Sequence, residues 1–79
     1  MMTPEAALKW IAELFEEPVD HLQPDTQKTD IPGWDSLGIL NLMAGLDSEF
    51  NILLSEEEIS RLKSVGDILA LLKQRGHMT

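Results

Sequence analysis

The chain has 79 residues, no cysteine, and a net charge of −8 from 14 acidic and 6 basic side chains. That length fits one small domain, residues 1–79, with neither disulfides nor thiolate metal sites, so its stability must come from helix packing. So few cations cannot neutralise a nucleic-acid backbone, which excludes that class of partner, and the acidic balance points instead to partners with basic surfaces.

Thr3-Pro4-Glu5 reads as a helix start, with a capping threonine, a proline at the first helical position and an acid in the first turn. Leu8, Ile11 and Phe15, with Ala7 and Leu14 beside them, predict a core face for a helix over residues 4–17, stopped by Pro18. Trp10 lies off this band and is expected partly exposed at its edge. Residues 18–34 carry Pro18, Pro24, Pro32 and Gly33 among polar residues, a long crossover loop whose aliphatic anchors are Val19, Leu22 and Ile31. Its acids Asp20, Asp25 and Asp30 lack the spacing of a calcium loop, so no metal site is expected.

After the Pro32-Gly33 turn, Asp35 and Ser36 are candidate N-caps of a helix over Ser36 to Phe50. Helical spacing sorts it into three stripes. Ile39, Leu42, Met43, Leu46 and Phe50 form a core band; Leu37, Leu40, Ala44 and Asp47 form a line that either widens the core or meets a partner. Gly38, Asn41, Gly45 and Ser48 form a small, uncharged line suited to tight helix packing or to close approach by a ligand or another chain. Trp34 either packs under the loop as a lid on the core, the favoured reading, or lies near whatever is held at the start of this helix.

Asn51-Ile52-Leu53-Leu54 is an apolar link, and Ser55 with Glu58 fits a capping box opening a short acidic helix to about Leu62, with Ile59 and Leu62 inward. Ser64 with Asp67 repeats that pattern before a last helix to about Arg75, carrying Val65, Ile68, Leu69, Leu71 and Leu72. Lys73 and Arg75 suit its negative end and Gly76 the position just past it. The fold expected is all-α, a small four-helix bundle of three longer helices and one short helix, with a long loop between the first two. The longest apolar region, Leu37 to Leu46, is broken by Asn41 and far short of the roughly 20 residues that cross a membrane. With no basic-then-apolar leader at the N-terminus, a cytoplasmic protein is expected.

Asp35-Ser36-Leu37 opens an amphipathic helix that ends in Asp47-Ser48-Glu49-Phe50 and precedes a loop and an acidic short helix. In a chain of this size the pattern resembles an acyl carrier protein. The resemblance implies that a phosphopantetheinyl transferase moves a 4′-phosphopantetheine arm from coenzyme A onto Ser36 through a phosphodiester. The arm's thiol then carries an acyl thioester between enzymes of lipid, polyketide or other specialised biosynthesis, and the chain, a monomer, does no chemistry of its own. A helix start suits that anion, because free N–H groups and the positive end of the macrodipole face it.

Further implications of the resemblance are that Asp35 orients the attachment site and Leu37 anchors partners. The partner surface, facing basic or apolar docking sites, would include Leu37, Leu40, Ala44, Asp47, Glu49, Glu56 and Glu57. Leu42, Leu46, Leu54, Ile59 and Leu62 match positions where an acyl chain is accommodated. Carriers of fatty acid synthesis typically hold acids where this chain has Gly38, Asn41 and Ser48, which suggests a dedicated pathway whose partner reads shape and apolar contact more than charge. Lys28 also departs from the apolar residue usual near there; Ile31 either takes over that anchoring or leaves the loop looser. Two other readings are an aminoacyl or peptidyl carrier, and a helical interaction module in which Ser36 is only a cap. A catalytic serine would need a positioned base, and neither His21 nor His77 has an evident orienting partner.

Overall fold

In the computed structural model, which describes residues 2–79, the periodic stretches become four α-helices: α1 (Pro4–Phe15), α2 (Ser36–Phe50), α3 (Glu56–Ser60) and α4 (Val65–Gln74). Single 3₁₀ turns at Val19–His21 and Lys28–Asp30 interrupt the loop between α1 and α2. Among the described residues there is no strand, only isolated bridges joining Met2 to Met78 and Gln27 to Ser64. The all-α bundle of three longer helices and one short helix is therefore present.

Thr3 caps α1 by accepting the Ala6 N–H at 3.2 Å. The helix ends at Phe15, two residues earlier than its pattern predicts, because Glu16 turns into the left-handed region at φ 54°. In that conformation the N–H groups of Glu16 and Glu17 return to the carbonyls of Glu13 and Ala12, at 3.3 and 2.9 Å. Pro18 thus follows a stop that has already been made.

The helices α1 and α2 run antiparallel, with Phe15 beside Gly38, Leu14 and Trp10 beside Gly45, and the Trp10 ring edge-on to Phe50 at 5.1 Å. The small-residue stripe is this seam. A Cβ on Gly45 would stand 3.0 Å from the Trp10 ring and 3.2 Å from Leu14, and the Asn41 amide donates to the Leu14 carbonyl at 3.4 Å. Close helix packing, rather than a ligand, accounts for both helical glycines. Trp34 is buried and stacks on Phe15 with ring centroids 4.8 Å apart, so it packs into the core. Trp10 is half-buried at the edge, and Ala12 joins the α1 core face, on which Leu8 and Leu14 are only half-buried.

Of the three expected loop anchors, Leu22 and Ile31 are each 3% exposed, but Val19 is 39% exposed, carried outward by the first 3₁₀ turn. Backbone hydrogen bonds also pin the loop. Lys28 N–H donates to Lys63 O at 2.7 Å, while the N–H groups of Val65 and Gly66 donate to Thr26 O and Pro24 O at 2.9 and 2.7 Å. Loop carbonyls thereby satisfy first-turn donors of α4 that no helical carbonyl can reach.

Ser55 and Glu58 form the reciprocal box at 3.1 Å in each direction. The helix they open closes at Ser60, short of Leu62, which is buried beyond it. At α4 the box is shifted: Ser64 Oγ accepts the Asp67 N–H at 3.1 Å, but the Asp67 carboxylate takes the N–H of Lys63, at 2.8 Å, rather than that of Ser64. Gly76, at φ 81°, ends α4, with its N–H and that of His77 bonded to Lys73 O and Leu72 O.

Candidate functional site

Three backbone segments meet where α2 begins. A Cβ on Gly33 would fall inside the contact radius of the Phe15 carbonyl oxygen, and a Cβ on Gly38 inside that of the Gly33 carbonyl oxygen. The end of α1, the Pro32-Gly33 turn and the first turn of α2 are thus stacked backbone to backbone, which only glycine permits. With Trp34 wedged beneath against Phe15, the start of α2 has a fixed position on the bundle.

Of the two candidate caps, Asp35 is the one used: its backbone is extended and its carboxylate accepts the Gly38 N–H at 3.0 Å. Ser36 is the first helical residue and is exposed, and among the described residues no hydrogen bond engages its hydroxyl. The backbone N–H groups of Ser36 and Leu37 likewise have no acceptor among the described residues. An exposed hydroxyl beside free donors at the positive end of a 15-residue helix is a place where an attached anion is stabilised.

No base stands ready to activate that hydroxyl. His21 pairs with Glu17 at 3.3 Å, and His77 lies against Phe50, at the far end of α2. A rise of 1.5 Å per residue puts Phe50 about 20 Å along the helix from Ser36.

The sequence-predicted partner residues are all exposed. Leu37 and Leu40 are 66% and 61% exposed and share one line with Ala44 and Asp47, so that line does not widen the core. Glu49, two residues past Asp47, points about 200° further round the helix and lies off it. Glu56 and Glu57 open α3 on the surface. Leu42, Leu46, Ile59 and Leu62 are core residues and Leu54 is half-buried against the core. None of them lines the recess beside α1 at Pro18 and Val19 or the smaller one beside Asp35 and Leu37.

Two of the three absent acids, at positions 38 and 41, have local causes. At position 38 the Gly33 carbonyl occupies the space of any side chain, and at position 41 the residue faces a carbonyl at the end of α1, where Asn can donate and a carboxylate could only repel. Leu53, 76% exposed in the α2–α3 link, was not singled out from the sequence. Its signal is alternation along the apolar link, with Ile52 buried and Leu53 exposed.

No protein-family profile matches the chain. Curated relatives do. The acyl carrier protein of Kineococcus radiotolerans is 27% identical over 78 residues, covering 94% of this chain and 96% of that one. That of Acidothermus cellulolyticus is 29% identical over 70 residues, covering 84% and 83%. That of Bdellovibrio bacteriovorus is 30% identical over 57 residues, covering 72% of this chain and 73% of its own. With this similarity spread along a four-helix bundle whose second helix opens on Asp-Ser-Leu, the chain belongs to the acyl carrier protein family.

Proposed function

We propose that Ser36 is the attachment point of a 4′-phosphopantetheine arm, and that the chain, acting as a monomer, carries acyl groups between enzymes of lipid, polyketide or other specialised biosynthesis. The observation that carries this reading is the division of labour at the start of α2: Asp35 does the capping, so the Ser36 hydroxyl is exposed and uncommitted. Bound there, the arm would supply a terminal thiol able to hold cargo as a thioester. The residues present fit it. The unengaged N–H groups of Ser36 and Leu37 would be available to its phosphodiester, and the glycine stack beneath would keep the helix start from yielding when a partner presses on it.

In this reading Leu37, Leu40 and Ala44 give partners an apolar strip, bounded by Asp47 on α2 and supplemented by Glu56 and Glu57 on α3. With no side chain possible at position 38 and Asn41 donating to the Leu14 carbonyl, the flank of that strip is short of charge, which supports a partner that recognises shape and apolar contact. Leu42, Leu46, Leu54, Ile59 and Leu62 are the side chains that would separate to admit an apolar chain, since at rest they fill the space themselves.

The test is to incubate the protein with coenzyme A and a phosphopantetheinyl transferase of broad specificity and weigh the intact chain. One added phosphopantetheine group is expected, with none on a Ser36→Ala control. No mass gain in the native protein overturns the attachment.

A further inference from the structure

We propose that the groove on the outer side of α1 is a docking surface for the transferase that acts on Ser36, receiving a segment with an apolar side chain set between Lys or Arg residues. The proposal rests on the attachment reading above. The groove, about 430 Å³, has Ala12, Pro18 and Val19 as its floor. Val19 is one of the few large apolar side chains left in the open, held there by the 3₁₀ turn rather than tucked under the loop.

The rim consists of Glu13, Glu16 and Glu17, with Lys9 as the one cation. Among the described residues no Lys or Arg lies within ion-pair distance of these glutamates, although Lys9 stands one helical turn before Glu13 and His21 pairs with Glu17. With three glutamates against one lysine the border is net acidic, and an apolar surface so bordered is complementary to an apolar tip flanked by cations.

Glu16 joins this groove to the attachment end of the molecule. It lines both the groove and a smaller recess, about 70 Å³, whose wall includes Asp35 and Leu37, the two neighbours of Ser36. An enzyme seated over Ser36 therefore reaches the groove across a continuous surface. Glu16 is also an unfavourable choice for folding alone: it sits at φ 54°, where Gly or Asn is at ease, and adds negative charge at the negative end of α1. Recognition of a cation accounts for a glutamate at that position. Position 38 has no room for a side chain and Asn41 donates to the Leu14 carbonyl, so Glu16 and Asp35 are the acids that line the smaller recess.

The experiment measures kcat and KM for modification of the full chain by a broad-specificity transferase with saturating coenzyme A. Val19→Ser and Glu16→Gln are each expected to raise the KM for the chain by about 3- to 10-fold with kcat unchanged, while Gln74→Ala on α4 alters neither. Glu16→Gly should raise KM and thermal stability together, a combination that a purely structural role would not produce. A KM within about twofold of wild type in the Val19→Ser/Glu16→Gln double variant overturns the groove and leaves the Ser36 assignment standing. Failure of the wild-type chain to be modified at all overturns both.

Discussion

Replacing Gly38 by alanine sets two known effects against each other. In an ordinary helix interior the change stabilises by roughly 0.5–1 kcal/mol, through the lower backbone entropy of the unfolded chain. Here the added methyl would overlap the Gly33 carbonyl oxygen and stand 3.0 Å from the Phe15 ring. The carbonyl would have to retreat by on the order of 1 Å, yet Gly33 is itself pressed against the Phe15 carbonyl, so the displacement passes into the end of α1. Overpacking of this kind costs about 1–3 kcal/mol and exceeds the propensity gain, leaving Gly38→Ala less stable by about 1–2 kcal/mol. Urea unfolding followed by circular dichroism should show a lower midpoint at unchanged slope, and thermal melting a Tm lower by roughly 5–10 °C. Gly45→Ala is the internal control. Its methyl would meet only the flexible ends of Trp10 and Leu14, at 3.0 and 3.2 Å, so its net effect should lie within about 0.5 kcal/mol of zero. If Gly38→Ala raised the midpoint as a solvent-facing helix glycine would, the backbone stack at the start of α2 would be refuted.

At the same helix start, Asp35→Ala removes the cap and should cost about 1 kcal/mol, whereas Ser36→Ala, which caps nothing, should leave the denaturation midpoint in place; equal losses would contradict the assignment of the cap. The Glu58 carboxyl is held below the usual carboxylate range, first by the Ser55 N–H and then by the Ser55 hydroxyl. Its folded-state pKa being depressed, the capping contribution is present above pH 4.5 and lost as pH falls through the folded value. The Tm difference between wild type and Glu58→Ala should therefore shrink on acidification below pH 4.5, and a gap constant with pH would refute this. Among the described residues Glu57–Arg61, at 2.9 Å and exposed on both sides, is the one Lys or Arg ion pair set against a net charge of −8. Self-repulsion should thus dominate surface electrostatics, so Tm should rise with added sodium chloride; a fall would mean that favourable pairs outweigh it.

Features fixed by local chemistry could be read from the chain. The Thr3 cap, the Ser55–Glu58 box, Gly76 past α4 and the core positions of α2 depend on residues three or four apart, and each stands where its pattern put it. What the pattern missed depends on distant partners or on unusual backbone. Glu16 ends α1 in a left-handed conformation that its residue type does not advertise, so only Pro18 was visible as a stop. Val19 and Leu22 look alike as loop anchors, and only the 3₁₀ turn decides which side chain is turned inward. The small-residue stripe of α2 showed that something approaches closely, but that the visitor is α1 required the antiparallel pairing of Trp10, Leu14 and Phe15 with it. At the candidate site, Asp35 and Ser36 are both good caps by composition, and geometry alone assigns the role to one and frees the other.

A carrier must hold its attachment point still while keeping it accessible, and in a 79-residue chain without disulfides those demands compete for the same few residues. They are separated here by side of the backbone. Beneath the start of α2, Gly33, Gly38, Phe15 and Trp34 use close backbone approach and a ring stack to fix the helix from the inside. Above it, Asp35 bonds back along the helix, so the rigidity needs nothing from Ser36 or from the leucines beside it. The same closeness bears on the charge of α2 near its start: the Gly33 carbonyl, itself pressed on the end of α1, leaves no room for a side chain at position 38, and Asn41 donates to the Leu14 carbonyl of α1. Rigidity and a sparse charge pattern at this end of the molecule thus share one cause, the closeness of the α1–α2 seam. A chain with a looser seam would have room for acids at positions 38 and 41, but would hold its serine less firmly.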